Sequence, residues 1–77
     1  MPQFFFHVQM GELFPDETGI TLPNDRAARD VALQVLAELA RDAADELWRG
    51  DVFRVVAADE SRMPLVTVEV AARFASF

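Results

Sequence analysis

The chain has 77 residues, of which 52% are hydrophobic, and its 7 arginines and 13 carboxylates leave a net charge of −6. This length predicts one small domain over residues 1–77. The acidic balance excludes sequence-independent nucleic-acid binding, which needs cations that neutralise phosphates. Because there is no cysteine and only one histidine, we also expect no disulfide, no transition-metal site and no cofactor.

The first predicted strand covers residues 3–9, because its side chains alternate between two faces with period two. A turn at Gly11 would lead into a short returning strand that Pro15 interrupts, since proline cannot donate a ladder hydrogen bond. Turn-forming residues 16–19 follow, and residues 20–22 would resume the extended structure. The first third of the chain is therefore predicted to be a hairpin with an interrupted second strand.

The strongest predicted element is an amphipathic helix that starts at Asn24 or Asp25 and ends at about Trp48 or Arg49. Gly50 follows as a typical C-terminal helix residue. Apolar residues at helical spacing form one arc: Ala28, Val31, Ala32, Val35, Leu36, Leu39, Ala43 and Leu47. The opposite face is polar: Asp30, Gln34, Glu38, Arg41 and Asp45. Such a helix packs on a sheet and leaves one face in water.

Two more strands are predicted at 51–58 and 64–71, joined by a hairpin connection at 59–62. The order β-β-α-β-β predicts an α+β fold, an antiparallel sheet with one amphipathic helix packed on one face. The sheet face toward the helix would carry Phe4, Phe6, Val8, Phe53, Val55, Val66, Val68 and Val70.

The second sheet face has no predicted element to cover it, apart from a tail that carries Phe74 and Phe77. It would present a mixture of apolar and polar side chains: Phe5, His7, Val52, Arg54, Val56, Leu65, Thr67 and Glu69. Exposed apolar patches mark interfaces, and a chain this short gains stability from association. We therefore expect a small acidic protein-interaction module that is a homo-oligomer, most simply a homodimer through this open sheet face.

Residues 2–8 have the pattern P-x-[YF]-F-F-H-[LV], and further short motifs follow in order at 11–12, 15–23, 27–29 and 59–60. Their order and spacing resemble a family of short bacterial proteins that is catalogued as a domain of unknown function. This chain has Ser61-Arg62 where the family often has a glycine in the last hairpin turn, and it lacks the usual Asp-Gly of the first hairpin. The resemblance implies a small stand-alone domain and no activity, ligand or catalytic residue.

Two other functions are compatible with the residues. An acidic, antitoxin-like regulatory partner would cover a basic surface with the helix residues Asp30, Glu38, Asp42 and Asp45. A tautomerase-like enzyme would use the amine of Pro2, freed by removal of Met1, as a general base, with Arg54 as the cation for a carboxylate substrate. We expect no enzymatic activity, because the hairpin after the first strand departs from the arrangement of such tautomerases.

Nucleophilic catalysis by the single histidine, His7, would need a nucleophile beside it. Cysteine is absent, and the serines are Ser61 and Ser76. We interpret it as a structural residue that is hydrogen-bonded across strands to Glu69 or Thr67. The adjacent acidic pairs are interpreted as solvated groups in turns and on the helix: Asp16-Glu17, Asp45-Glu46 and Asp59-Glu60.

No stretch of the chain approaches the roughly 18 apolar residues of a membrane span, and the N-terminus has no basic start of a secretory signal. Together with the absence of cysteine, this predicts a cytoplasmic protein that binds no membrane.

Overall fold

The computed structural model describes residues 2–75 and confirms the α+β class. The fate of Met1 and the positions of Ser76 and Phe77 lie outside the described residues. The elements in chain order are β1 (Gln3–Met10), β2 (Glu12–Phe14), β3 (Ile20–Thr21), α1 (Asp25–Asp42), α2 (Ala44–Trp48), β4 (Val52–Ala58) and β5 (Pro64–Ala71).

The sheet is antiparallel, with β1 and β4 at its centre and β5 at one edge. β2 and β3 share the other edge, where they lie end to end along β1. With Phe14 opposite Val8, an uninterrupted strand would place residue 18 opposite Phe4, yet Ile20 lies there. The two extra residues belong to the loop at 15–19, which leaves the plane of the strand and confirms the predicted interruption.

The helix begins as predicted but is broken near its end. Asn24 is extended, and its side-chain oxygen accepts a hydrogen bond from the N–H of Ala27 at 2.9 Å. The prediction of one uninterrupted helix is wrong, because Ala43 leaves the helical conformation between α1 and α2 at φ −121° and ψ 36°. After this break α2 still packs Leu47 into the core, at 6% exposure.

The core lies between the helices and one sheet face, with α1 over β4 and β5. Its buried residues are Phe4, Phe6, Ala28, Ala32, Leu36, Leu47, Phe53, Val55 and Ala57. The predicted inner face and helix arc are confirmed, since all of their members are buried or half-buried. Ala28 and Ala32 are fully buried, and their small side chains let the helix approach the sheet closely. The predicted polar face of the helix is exposed.

Phe5 differs from the prediction, because it is 5% exposed although it points to the outer face of the sheet. The loop at 15–19 folds over it, and a Cβ placed on Gly19 would lie 2.9 Å from Cε1 of Phe5. The guanidinium carbon of Arg62 lies 3.8 Å from the ring centroid of Phe5. The expectation that only the tail could cover this face is thus wrong. Phe74 of the tail instead contacts Trp48, with 5.5 Å between the ring centroids.

We expect Gly19→Ala to lower the free energy of unfolding by about 2–3 kcal/mol and Gly11→Ala by about 1–2 kcal/mol. Both glycines have positive φ, 76° and 78°, so both variants carry the same backbone strain. Only at Gly19 would the new Cβ meet other atoms, namely Phe5 and the backbone oxygen of Phe4 at 3.0 Å. Chemical denaturation measures both losses, and equal losses would show that the loop does not press on Phe5.

Candidate functional site

The loop at 15–19 is held to the edge of β1 by the side chain of Asp16. Its Oδ2 accepts a hydrogen bond from the N–H of Phe6 at 3.0 Å, and its Oδ1 accepts from Thr18 at 3.0 Å and Gly19 at 3.1 Å. Phe6 lies in the stretch of β1 between the β2 and β3 pairings, where the edge strand is interrupted. The carboxylate therefore replaces a missing strand as the partner of this backbone donor.

The pKa of Asp16 is lowered from its ordinary value of 3.8. Desolvation by burial raises the pKa, but the N–H hydrogen bonds from Gly19, Phe6 and Thr18, together with nearby His7, outweigh this effect. Asp16 is thus a half-buried structural carboxylate, and its interpretation as a solvated turn residue is wrong.

His7 is hydrogen-bonded to the loop rather than across the sheet. Its Nδ1 accepts the backbone N–H of Asp16 at 2.9 Å, so the predicted partners Glu69 and Thr67 are wrong. The residue directly opposite His7 on β4 is Val56, and Thr67 lies one strand farther away. Because Nδ1 is the acceptor in this hydrogen bond, Nε2 is the ring nitrogen that is free to donate.

A polar row crosses the outer face of the sheet through Gln9, Arg54 and Glu69. Arg54 on central strand β4 donates to Oε1 of Gln9 at 3.1 Å and to Oε2 of Glu69 at 2.8 Å. The side chains of the ion pair are 41% and 49% exposed, so the pair contributes about 0–1 kcal/mol to stability. Both terminal nitrogens of the Arg54 guanidinium are therefore hydrogen-bonded to side chains of the neighbouring strands.

The two residues that a proline-based enzyme would need are far apart. Gln9, which Arg54 contacts, lies seven residues from Pro2, a separation of about 23 Å along an extended strand. The carbonyl oxygen of Pro2 accepts the N–H of Leu22 at 3.0 Å, next to β3. Across residues 2–75 there is neither a concave pocket nor a cluster of metal ligands.

Seven of the eight predicted interface residues lie on one accessible face, and Phe5 is the buried exception. Val52 and Leu65 are 41% and 38% exposed, and the polar members surround them. The prediction missed Leu13, which is 61% exposed and lies opposite Gln9 on the same face. A register counted from the turn at Gly11 would have found it.

Arg62 combines an unusual backbone with an unusual contact. Its φ of 70° is the one positive value among non-glycine residues of the described chain, and its side chain stacks on Phe5. The turn is held by Asp59, whose Oδ1 accepts the N–H groups of Ser61 and Met63 at 2.9 Å each. Glycine is the residue that adopts such a positive φ without strain.

We expect Arg62→Ala to lower the free energy of unfolding by about 1 kcal/mol, because the cation–π contact is lost and the backbone strain remains. Arg62→Gly also loses the contact but relieves about 1 kcal/mol of strain, so it should match the parent protein. Urea denaturation of the two variants separates the effects. Equal stability of the alanine and glycine variants would show that the backbone at this position is unstrained.

An interrupted antiparallel sheet with a broken helix on one face defines a small α+β domain. Residues 3–71 match the family model described as "Domain of unknown function (DUF6894)", and the chain belongs to that family. The match agrees with the expectation of a domain of unknown function. No curated protein and no solved structure matches the chain. Within residues 2–75, no helix is long and apolar enough to cross a membrane.

Proposed function

We propose that the protein is a non-catalytic protein-interaction module that self-associates through the open side of its sheet. The open side consists of the outer face of β4 and β5 together with the unpaired edge of β5. Exposed apolar side chains on and just before β5 support the proposal, with Leu65 at 38% and Met63 at 62% exposure. Arg54 and Val56 at the centre of this face remain partly accessible, in contrast to Phe5 at its margin, which is buried.

The small core supports the same proposal. A chain of this length buries only about 60% of the surface that its unfolded form exposes, which leaves folding marginal. Here the chain has no cysteine to form disulfides. Burial of the open side against a second copy adds apolar contacts that one chain cannot make alone.

Light scattering coupled to size-exclusion chromatography tests the proposal at micromolar protein concentration. We expect a mass of two 8.6-kDa chains, and we expect it to persist at high salt because apolar contacts are not screened. A single-chain mass across this range would contradict self-association. Dissociation by salt alone would instead indicate a contact dominated by charges.

A further inference from the structure

We infer that two copies associate edge to edge, by antiparallel pairing of β5 with β5 of a second copy about a two-fold axis at Val68. This inference rests on the proposed self-association and names the contact through which it occurs. It would produce one continuous sheet with the two β5 strands at its centre.

The two edges of the sheet differ in their protection against such pairing. The edge formed by β2 and β3 is interrupted, carries Pro15 and has a backbone donor occupied by the Asp16 carboxylate. β5 is eight residues long, and its proline is the first residue, Pro64. Its single charge, Glu69, is bonded to Arg54 on the neighbouring strand. Natural sheets protect free edges with breaks, bulges, prolines and charges. On β5 the register shift and the proline are confined to its start, opposite Ala58, and residues 66–71 run in regular register along β4.

The hydrogen bonds of β1 identify which backbone groups of β5 are free. The N–H of Phe6 donates to Asp16 and therefore points away from β4. Phe6 and the opposite residue Ala57 are thus a non-hydrogen-bonded pair, and Ala57 directs its N–H and C=O toward β5. Val66, opposite Ala57, is therefore bonded to β4, and the same holds for Val68 and Val70 in the regular part of the strand. The residues that alternate with them direct their N–H and C=O groups outward: Thr67, Glu69 and Ala71. The register shift opposite Ala58 ends this alternation at Leu65.

A two-fold axis at Val68 places Thr67 opposite Glu69 of the second copy, so the outward groups of these two residues face each other in two symmetry-related pairs. Ala71 then lies opposite Leu65, at the irregular start of β5 in the second copy. A shift of two residues in one direction would place Glu69 opposite Glu69 of the second copy, where like charges repel. The opposite shift would leave Ala71 without a strand partner. Side-chain charge and backbone pairing thus favour the same register.

Antiparallel pairing of two copies also brings together complementary side chains that flank the two ends of β5. Met63, just before the strand, is 62% exposed, and Phe74, just after it, is 78% exposed and contacts Trp48. Antiparallel pairing brings Met63 of one copy beside Phe74 and Trp48 of the other, a favourable sulfur–aromatic combination. Exposed Glu60 in the preceding turn is brought toward exposed Arg73 of the second copy by the same orientation.

Thr67→Pro tests the edge directly. The N–H of Thr67 points outward, so proline removes a donor from the free edge without removing a bond to β4. We expect this variant to keep the parent circular dichroism spectrum and to raise the dimer dissociation constant at least about tenfold, as loss of paired hydrogen bonds predicts. Val52→Glu is the control, because Val52 is an exposed outer-face residue on β4 and should leave the dimer intact. A T67P dimer together with a V52E monomer would overturn edge pairing and support association through the face.

Cysteine scanning tests the register, because the chain has no native cysteine. Val68→Cys places two sulfurs across the axis and should form a disulfide-linked dimer under mild oxidation. Val66→Cys or Val70→Cys alone should not, because the two copies of each lie about 13 Å apart along the strand, beyond the roughly 7 Å limit for a disulfide. A mixture of the last two variants should cross-link. A dimer in light scattering without the V68C cross-link overturns edge pairing, whereas a monomeric parent protein overturns the proposed function itself.

Discussion

Replacement of Phe53 by alanine is expected to lower the free energy of unfolding by about 3–5 kcal/mol. Phe53 is fully buried on central strand β4, between Met10 on β1 and Val70 on β5. Truncation of its ring leaves a cavity in the core between the sheet and α1. Because native domains have only about 5–15 kcal/mol of stability in total, this loss removes a large share of the stability of so short a chain.

Phe14→Ala is the matched control for this variant. It removes the same side chain from the edge strand β2, where Phe14 is 51% exposed, and should cost no more than about 1 kcal/mol. Chemical denaturation followed by far-ultraviolet circular dichroism measures both changes. Comparable losses in the two variants would mean that the core does not lie where the helix meets β4.

The features predicted best from the sequence are those with a local cause. Period-two alternation placed β1, β4 and β5 to within a residue, because one buried face imposes that pattern on each strand. The start of α1 followed from the side chain of Asn24, which satisfies a donor three residues away. The alternation of side chains along each strand was enough to place seven predicted interface residues on one face.

The features that the sequence did not reveal depend on where distant segments meet. The burial of Phe5 requires Gly19 and Arg62 to reach it from two different turns, and no periodicity encodes that approach. The partner of His7 was sought across the sheet, whereas the path of the Asp16 loop places a closer donor beside it. The sequence does not distinguish Asp16 from other acidic turn residues, because its role as the acceptor for the Phe6 N–H depends on the interrupted pairing of β2 and β3 with β1. The break at Ala43 likewise has no proline or glycine to announce it.

Asp16→Ala is expected to lower the free energy of unfolding by about 2–4 kcal/mol at neutral pH. Charge-assisted hydrogen bonds contribute about 1.5–3 kcal/mol when buried, and the three that Asp16 accepts are only partly shielded from water. The variant also leaves the N–H of Phe6 without its acceptor in the interrupted stretch of β1. Asp16→Asn keeps the shape and one oxygen acceptor, so it should lose about half as much. Urea denaturation of the two variants measures the losses.

The pH dependence of this stabilisation distinguishes the charge of Asp16 from its shape. The folded-state pKa is lowered below 3.8, so the unfolded chain binds the proton more readily and stability falls as the pH falls. The difference in unfolding free energy between the parent protein and Asp16→Asn should be fully present above this range. It should shrink as the pH drops below 3.8 and through the lower folded-state pKa. A difference that does not change with pH would show that the loop is held by the shape of the side chain, without help from its charge.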